Sequence, residues 1–138
     1  MTHYSDIIGK REIEFRALIL HNDGTKEWYY YSTTTGNLIS NLYCSVQIRR
    51  VIASDLQYTG LKDKNCTKIF EGDIVQYLCQ KETTQVLQTY VVVFHYDSFC
   101  KLMDGEHYAF GFSQNGTLLK EKVIGNIFEN PELTPTQL

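Results

Sequence analysis

Two carboxylates flanking a single glycine, Glu71-Gly72-Asp73, come nearest in this sequence to residues spaced for chemistry. Such a pair can divide proton transfer between an acid and a base, or bind a divalent cation through oxygen. The same three residues also make an ordinary turn, in which Asp73 accepts hydrogen bonds from turn amides and Glu71 faces water. Four histidines, His3, His21, His95 and His107, and four cysteines, Cys44, Cys66, Cys79 and Cys100, complete the reactive groups. None has metal-ligand spacing, and no two cysteines form a C-x-x-C pair. Cys100 with His95 has the types of a nucleophile and its base, yet no motif surrounds them. The reading therefore assigns no catalytic residue, no metal ligand and no cofactor.

These residues must be positioned by strands. Arg11 to Leu20 (REIEFRALIL) alternates charged and apolar residues through Ile13, Phe15 and Ala17, the pattern of a half-buried strand. Asn22-Asp23-Gly24 is a turn signal, and Glu27 to Tyr31 follows as a second strand, so a hairpin is expected over residues 15–31. Thr33 to Asn37 reads as another turn. Leu38 to Ala53 reads two ways: Val46, Ile48 and Val51-Ile52 as strand, or Leu38, Leu42 and Val46 as one face of a helix. Lys62 to Asn65 and Glu71 to Asp73 are turns around Ile69-Phe70, and Ile74 to Leu78 opens a further strand. Val86 to Tyr96 is the longest β-branched and aromatic run. Asp104-Gly105 and Asn115-Gly116 punctuate strands near Phe99–Met103 and Tyr108–Phe112. Gly125, inside the closing strand 123–127, marks a bulge or a close backbone approach. Pro131 and Pro135 exclude a strand or long helix at the tail.

Composition agrees with a globular, strand-rich chain. The 138 residues include ten Tyr and seven Phe, side chains that suit a pleated, half-buried surface. The formal charge is −3, and neither half carries the basic excess that duplex DNA binding requires. No apolar run is long enough to cross a bilayer as a helix. The N-terminus lacks the basic start and apolar core of a signal peptide. Together with unpaired-looking cysteines, this places the expected site of action in a reducing cytoplasm. The run Trp28-Tyr29-Tyr30-Tyr31 has three readings: core packing, a subunit interface, or stacking of single-stranded bases with charge from Lys10, Arg11, Arg49 and Arg50.

Two longer blocks carry a resemblance. Residues 57–77, QYTGLKDKNCTKIFEGDIVQY, resemble the central motif of the YopX-like family, and residues 123–133, VIGNIFENPEL, resemble its C-terminal motif. Cys66 stands where that central motif usually has glycine after Lys-Asn. Either Asn65 alone takes a left-handed conformation there, or the turn is of another type. The resemblance implies a phage or prophage origin and an SH3-like β-barrel in residues 57–133. A smaller β-containing part at 1–56 would precede it, and residues 134–138 would be a tail.

In such a fold the closing strand pairs near Asp73, gathering Tyr58, Lys62, Asp63, Glu71, Asp73, Asn126 and Glu129 into one polar cluster. It is either a partner surface or a set of groups that satisfies loop amides and ties the two motifs together. The expected function is a non-enzymatic accessory module that binds a host or phage protein, with self-association as a further expectation. The rivals are a nucleic-acid-associated module and a small hydrolase built on Glu71, Asp73 and Glu129.

Overall fold

The computed structural model describes residues 13–32, 48–111 and 113–135. The turn expected at Thr33–Asn37, the strand-or-helix choice for Leu38 to Val46, and Phe112 lie outside the described residues. So do His3, Lys10, Arg11 and Cys44.

The described chain is mostly β-structure, in two sheets. The first has the order β2-β1-β3-β10-β9, from β2 (Lys26–Ser32), β1 (Glu14–His21), β3 (Ile48–Lys62), β10 (Thr117–Leu118) and β9 (Ser113–Gln114). A short strand, β4 (Lys68–Phe70), also pairs with β3. The second sheet is β11-β5-β6-β7-β8, from β11 (Lys122–Asn126), β5 (Asp73–Lys81), β6 (Thr84–His95), β7 (Ser98–Met103) and β8 (Glu106–Tyr108). A 3-10 turn, Pro131–Leu133, follows β11.

Each hairpin follows from its turn residues. Phe15 pairs with Tyr31 across the turn at Asn22–Gly24, as the sequence suggests. Asp104-Gly105 and Asn115-Gly116 both hold positive φ at two successive residues. That geometry matches the right-handed twist of the strands they join. β8 ends at Tyr108, short of the expected run to 112.

The SH3-like barrel implied by the family resemblance is not closed. The described strands stop as two sheets, with β11 and β8 at the edges of the second. The 15-residue β3 joins what was read as two parts, pairing β1 through Gln57 and β4 from Tyr58 onward. The division expected at residues 56/57 therefore falls inside one strand.

Between the sheets lies the core. Ile69 and Leu118 from the first pack against Val75, Tyr90 and Val92 from the second. Tyr90 meets Tyr77 and Phe110 edge-on, both at 5.9 Å. Lys101 is buried beside them, its Nζ 5.0 Å from the Tyr77 ring and 5.2 Å from that of Tyr90.

β1 corrects the alternation read from the sequence. Arg16, Ala17, Leu18 and Ile19 are all buried, whereas Ile13 lies before the strand and is 44% exposed. β1 is flanked by β2 and β3 and covered on both faces, so period-two burial is lost. Phe15 and Tyr31 stack on one face at 5.7 Å. Arg16 points to the other, toward the second sheet.

Candidate functional site

The two motif blocks meet where β5 and β11 pair, with Asn126 opposite Asp73 and Val123 opposite Val75. A turn must precede β5, and Gly72 makes it with φ +89°. A β-carbon there would sit 2.9 Å from the Phe128 ring. Its carbonyl accepts the Ile127 N–H at 3.0 Å. Gly125 coincides with a register shift in β11, and Asn130 Oδ1 lies 2.5 Å from where its β-carbon would be. Both readings of Gly125, bulge and close approach, hold at once.

Asp73 is almost fully buried. One carboxylate oxygen receives the Arg16 guanidinium and the other accepts the Phe70 N–H at 2.8 Å. Burial pushes its carboxyl above the usual range, and the Arg16 charge and the Phe70 amide pull against that. Arg16 is itself sandwiched, 4.1 Å from the Trp28 ring and 4.7 Å from Phe70. Trp28 donates its indole N–H to Glu129 at 2.6 Å, and the Asn126 amide donates to the same oxygen at 3.1 Å. These bonds hold the Glu129 carboxyl below its ordinary range, the Trp28 bond most.

Asp63 is the second buried carboxylate, 1% exposed. Its Oδ1 accepts the N–H groups of Asn65 at 2.8 Å and Thr67 at 2.9 Å, closing the β3–β4 turn. Its Oδ2 accepts the Val123 N–H at 2.9 Å. Asn126 does similar work in the following turn, its Oδ1 accepting from Phe128 and Glu129.

The sequence reading thus brought together residues that do meet, in two groups: Asp73, Asn126 and Glu129 around Arg16, and Asp63 under the β3–β4 turn. Tyr58 is buried against Phe70 at 5.5 Å, with Lys68 Nζ 5.2 Å from its ring. Lys62 pairs in register with Lys68 and Thr117. Glu71 is half-buried in the turn, its N–H bonded to the Gln57 carbonyl. Cys66 itself takes the left-handed conformation, φ +63°, at an exposed position; Asn65 does not. Cys100 pairs with Val93, and its thiol contacts the Ser98 hydroxyl and carbonyl. His95 stacks on His107 at 3.6 Å.

Arg16 and Trp28 were missed as members of this cluster. Alternation assigned Arg16 to a polar face, and no spacing in the sequence names a partner 57 residues away. Between Arg16, Glu14, Tyr30, Lys68, Asp73 and Asn126 runs a cleft of about 430 Å³. Its cations are already engaged: Arg16 by Asp73, and Lys68 by Glu14 at 2.5 Å.

A second and larger groove lies on the β5–β6 ribbon. Leu78 and Leu87 face each other in register and are 54% and 55% exposed. With Gln76, Gln80 and Gln85 they line one side of a groove of about 580 Å³. Leu119, Lys120, Lys122 and Lys64 line the other. No sequence pattern flagged it, because the same β-branched and aliphatic run that predicts a strand also predicts burial.

A family model described as YopX protein matches residues 6–134, and the chain belongs to that family. The crystal structure of protein EF1440 from Enterococcus faecalis is similar over 90% of this chain and 99% of that one, at 26% identity and a TM-score of 0.48. No curated protein matches the chain.

Proposed function

We propose that this YopX-family chain is a non-enzymatic protein-binding module, and that it serves a phage or prophage as an accessory protein. The observation that carries the binding role is the exposed Leu78–Leu87 pair beside Leu119, an apolar patch rimmed by lysine and glutamine. Such contiguous apolar surface with a polar rim is the usual mark of a protein-contact site. The carboxylates of the candidate cluster favour the same reading, Asp63 and Asp73 being buried and Glu129 exposed. Asp73 is taken by Arg16 and the Phe70 amide, Asp63 by three backbone amides, and Glu129 by Trp28 and Asn126. A general acid or base needs a proton-transfer face open to substrate, and both buried carboxylates, Asp63 and Asp73, are committed to internal bonds.

The test is quantitative capture with purified bait from host cells carrying the phage or prophage. Wild-type protein is compared with Leu78→Ser/Leu87→Ser and with a control changed at the 89%-exposed Tyr96, Tyr96→Ser. Proteins held by wild type and by the control, and released by the double variant, support the role. Equal capture by all three baits removes it.

A further inference from the structure

The groove has an open strand edge along it. β11 pairs with β5 only as far as Lys122 opposite Gln76. β5 continues to Lys81, and β6 pairs with it on the other side through Lys81 opposite Thr84. Among the described residues, no strand pairs with Tyr77–Lys81 on the β11 side. Alternate residues of that stretch present backbone N–H and C=O groups to the open edge, about 17 Å of it at strand rise.

Side chains around this edge select by charge. Among the described residues, Lys64, Lys120 and Lys122 line the groove and no Asp or Glu does, in a chain whose net charge is −3. Leu78, Leu87 and Leu119 supply the apolar contact. A segment carrying both acidic and aliphatic side chains matches this surface, because lysines and leucines line the same groove. A second copy pairing through the same edge would instead bring two lysine clusters together. Single-stranded nucleic acid would suit the lysines, but stacking needs exposed rings, and Tyr77, the one aromatic among the described lining residues, is half-buried and packed on Tyr90.

We infer that the β5 edge at Tyr77–Lys81 accepts an extended, acidic, apolar segment of a partner protein as an added strand, continuing the sheet where β11 stops. Backbone pairing supplies affinity in this mode and the flanking side chains supply selectivity. This inference rests on the binding role proposed above and names its partner chemistry.

The test is selection from a random dodecapeptide display library on the full chain, followed by amide hydrogen exchange with the best peptide. Selected peptides should be net acidic and should carry aliphatic residues among the acidic ones. The best one should slow exchange at alternate amides within 77–81. The triple variant Lys64→Glu/Lys120→Glu/Lys122→Glu should bind it at least tenfold more weakly. No enrichment, enrichment without acidic bias, or protection away from β5 overturns the inference. So does an oligo-dT strand that protects the same amides in place of peptide, or protection that grows with protein concentration alone. If the double-leucine bait still loses its captured protein while β5 shows no protection, strand addition falls and the binding role stands.

Discussion

The carboxylate of Asp63 accepts the backbone N–H of Val123, 60 residues away, at 2.9 Å. One is in the first motif block and the other begins the second. With Asn126 opposite Asp73, this bond makes the two blocks one structural unit. Asp63, Asp73 and Asn126 of these blocks spend their side-chain hydrogen bonds inside the fold, and the partner surface proposed above is the groove beside β5 and β6 instead.

Arg16 and Asp73 should behave as a buried pair. Removing one partner leaves the other's charge unpaired away from water, so Asp73→Ala should cost about 3–5 kcal/mol of unfolding free energy. Replacing both, Arg16→Met with Asp73→Leu, should cost much less. Urea unfolding of the two variants checks this; equal losses would show that packing, and not the charge, is what the single change removes.

Gly125→Ala should destabilise. The new β-carbon would meet Asn130 Oδ1 at 2.5 Å and its β-carbon at 3.0 Å. Asn130 must then shift and release the Asn126 N–H that it accepts at 3.3 Å. A loss of about 1–3 kcal/mol is expected in chemical denaturation.

Cys66→Gly should act in the opposite direction. Cys66 is exposed with φ +63°, a conformation that strains a side chain with a β-carbon. Glycine relieves that strain and gives some of the gain back as unfolded-state entropy. A net stabilisation of up to about 1 kcal/mol should appear as a higher denaturation midpoint with an unchanged slope.

Much of the scaffold was legible because its turns are explicit. Asn22-Asp23-Gly24, Asp104-Gly105 and Asn115-Gly116 each mark a hairpin by residues that accept positive φ. Gly125 announced its bulge for a similar reason. Two things were not legible. Arg16 sits in a run whose alternation points it outward, and only the arrival of the second sheet makes it buried. Leu78 and Leu87 look like core, yet the β5–β6 ribbon runs past β11 and leaves them in water. Both depend on how one sheet lies on the other, which no local pattern encodes.

Glu129 supplies a pH signature. Its carboxyl is held below the ordinary range, first by the Trp28 indole and then by the Asn126 amide. For a lowered carboxyl, the favourable contribution is present above the unfolded-state value and is lost as pH falls through the folded-state value. Trp28 is the chain's single tryptophan, so its fluorescence reports the bond directly. The emission should titrate below about pH 4.3, the ordinary glutamate value. In Glu129→Gln that titration should vanish.

Asp63→Asn isolates the bond between the motif blocks. Asparagine keeps an oxygen for the Asn65 and Thr67 amides but turns an NH₂ group toward the Val123 N–H, donor against donor. The equilibrium unfolding free energy of this variant in urea is the deciding measurement. A loss of about 2 kcal/mol or more is expected if Asp63 clasps the two blocks together. A change within about 0.5 kcal/mol, the range of an ordinary surface substitution, would contradict the structural role assigned to these residues.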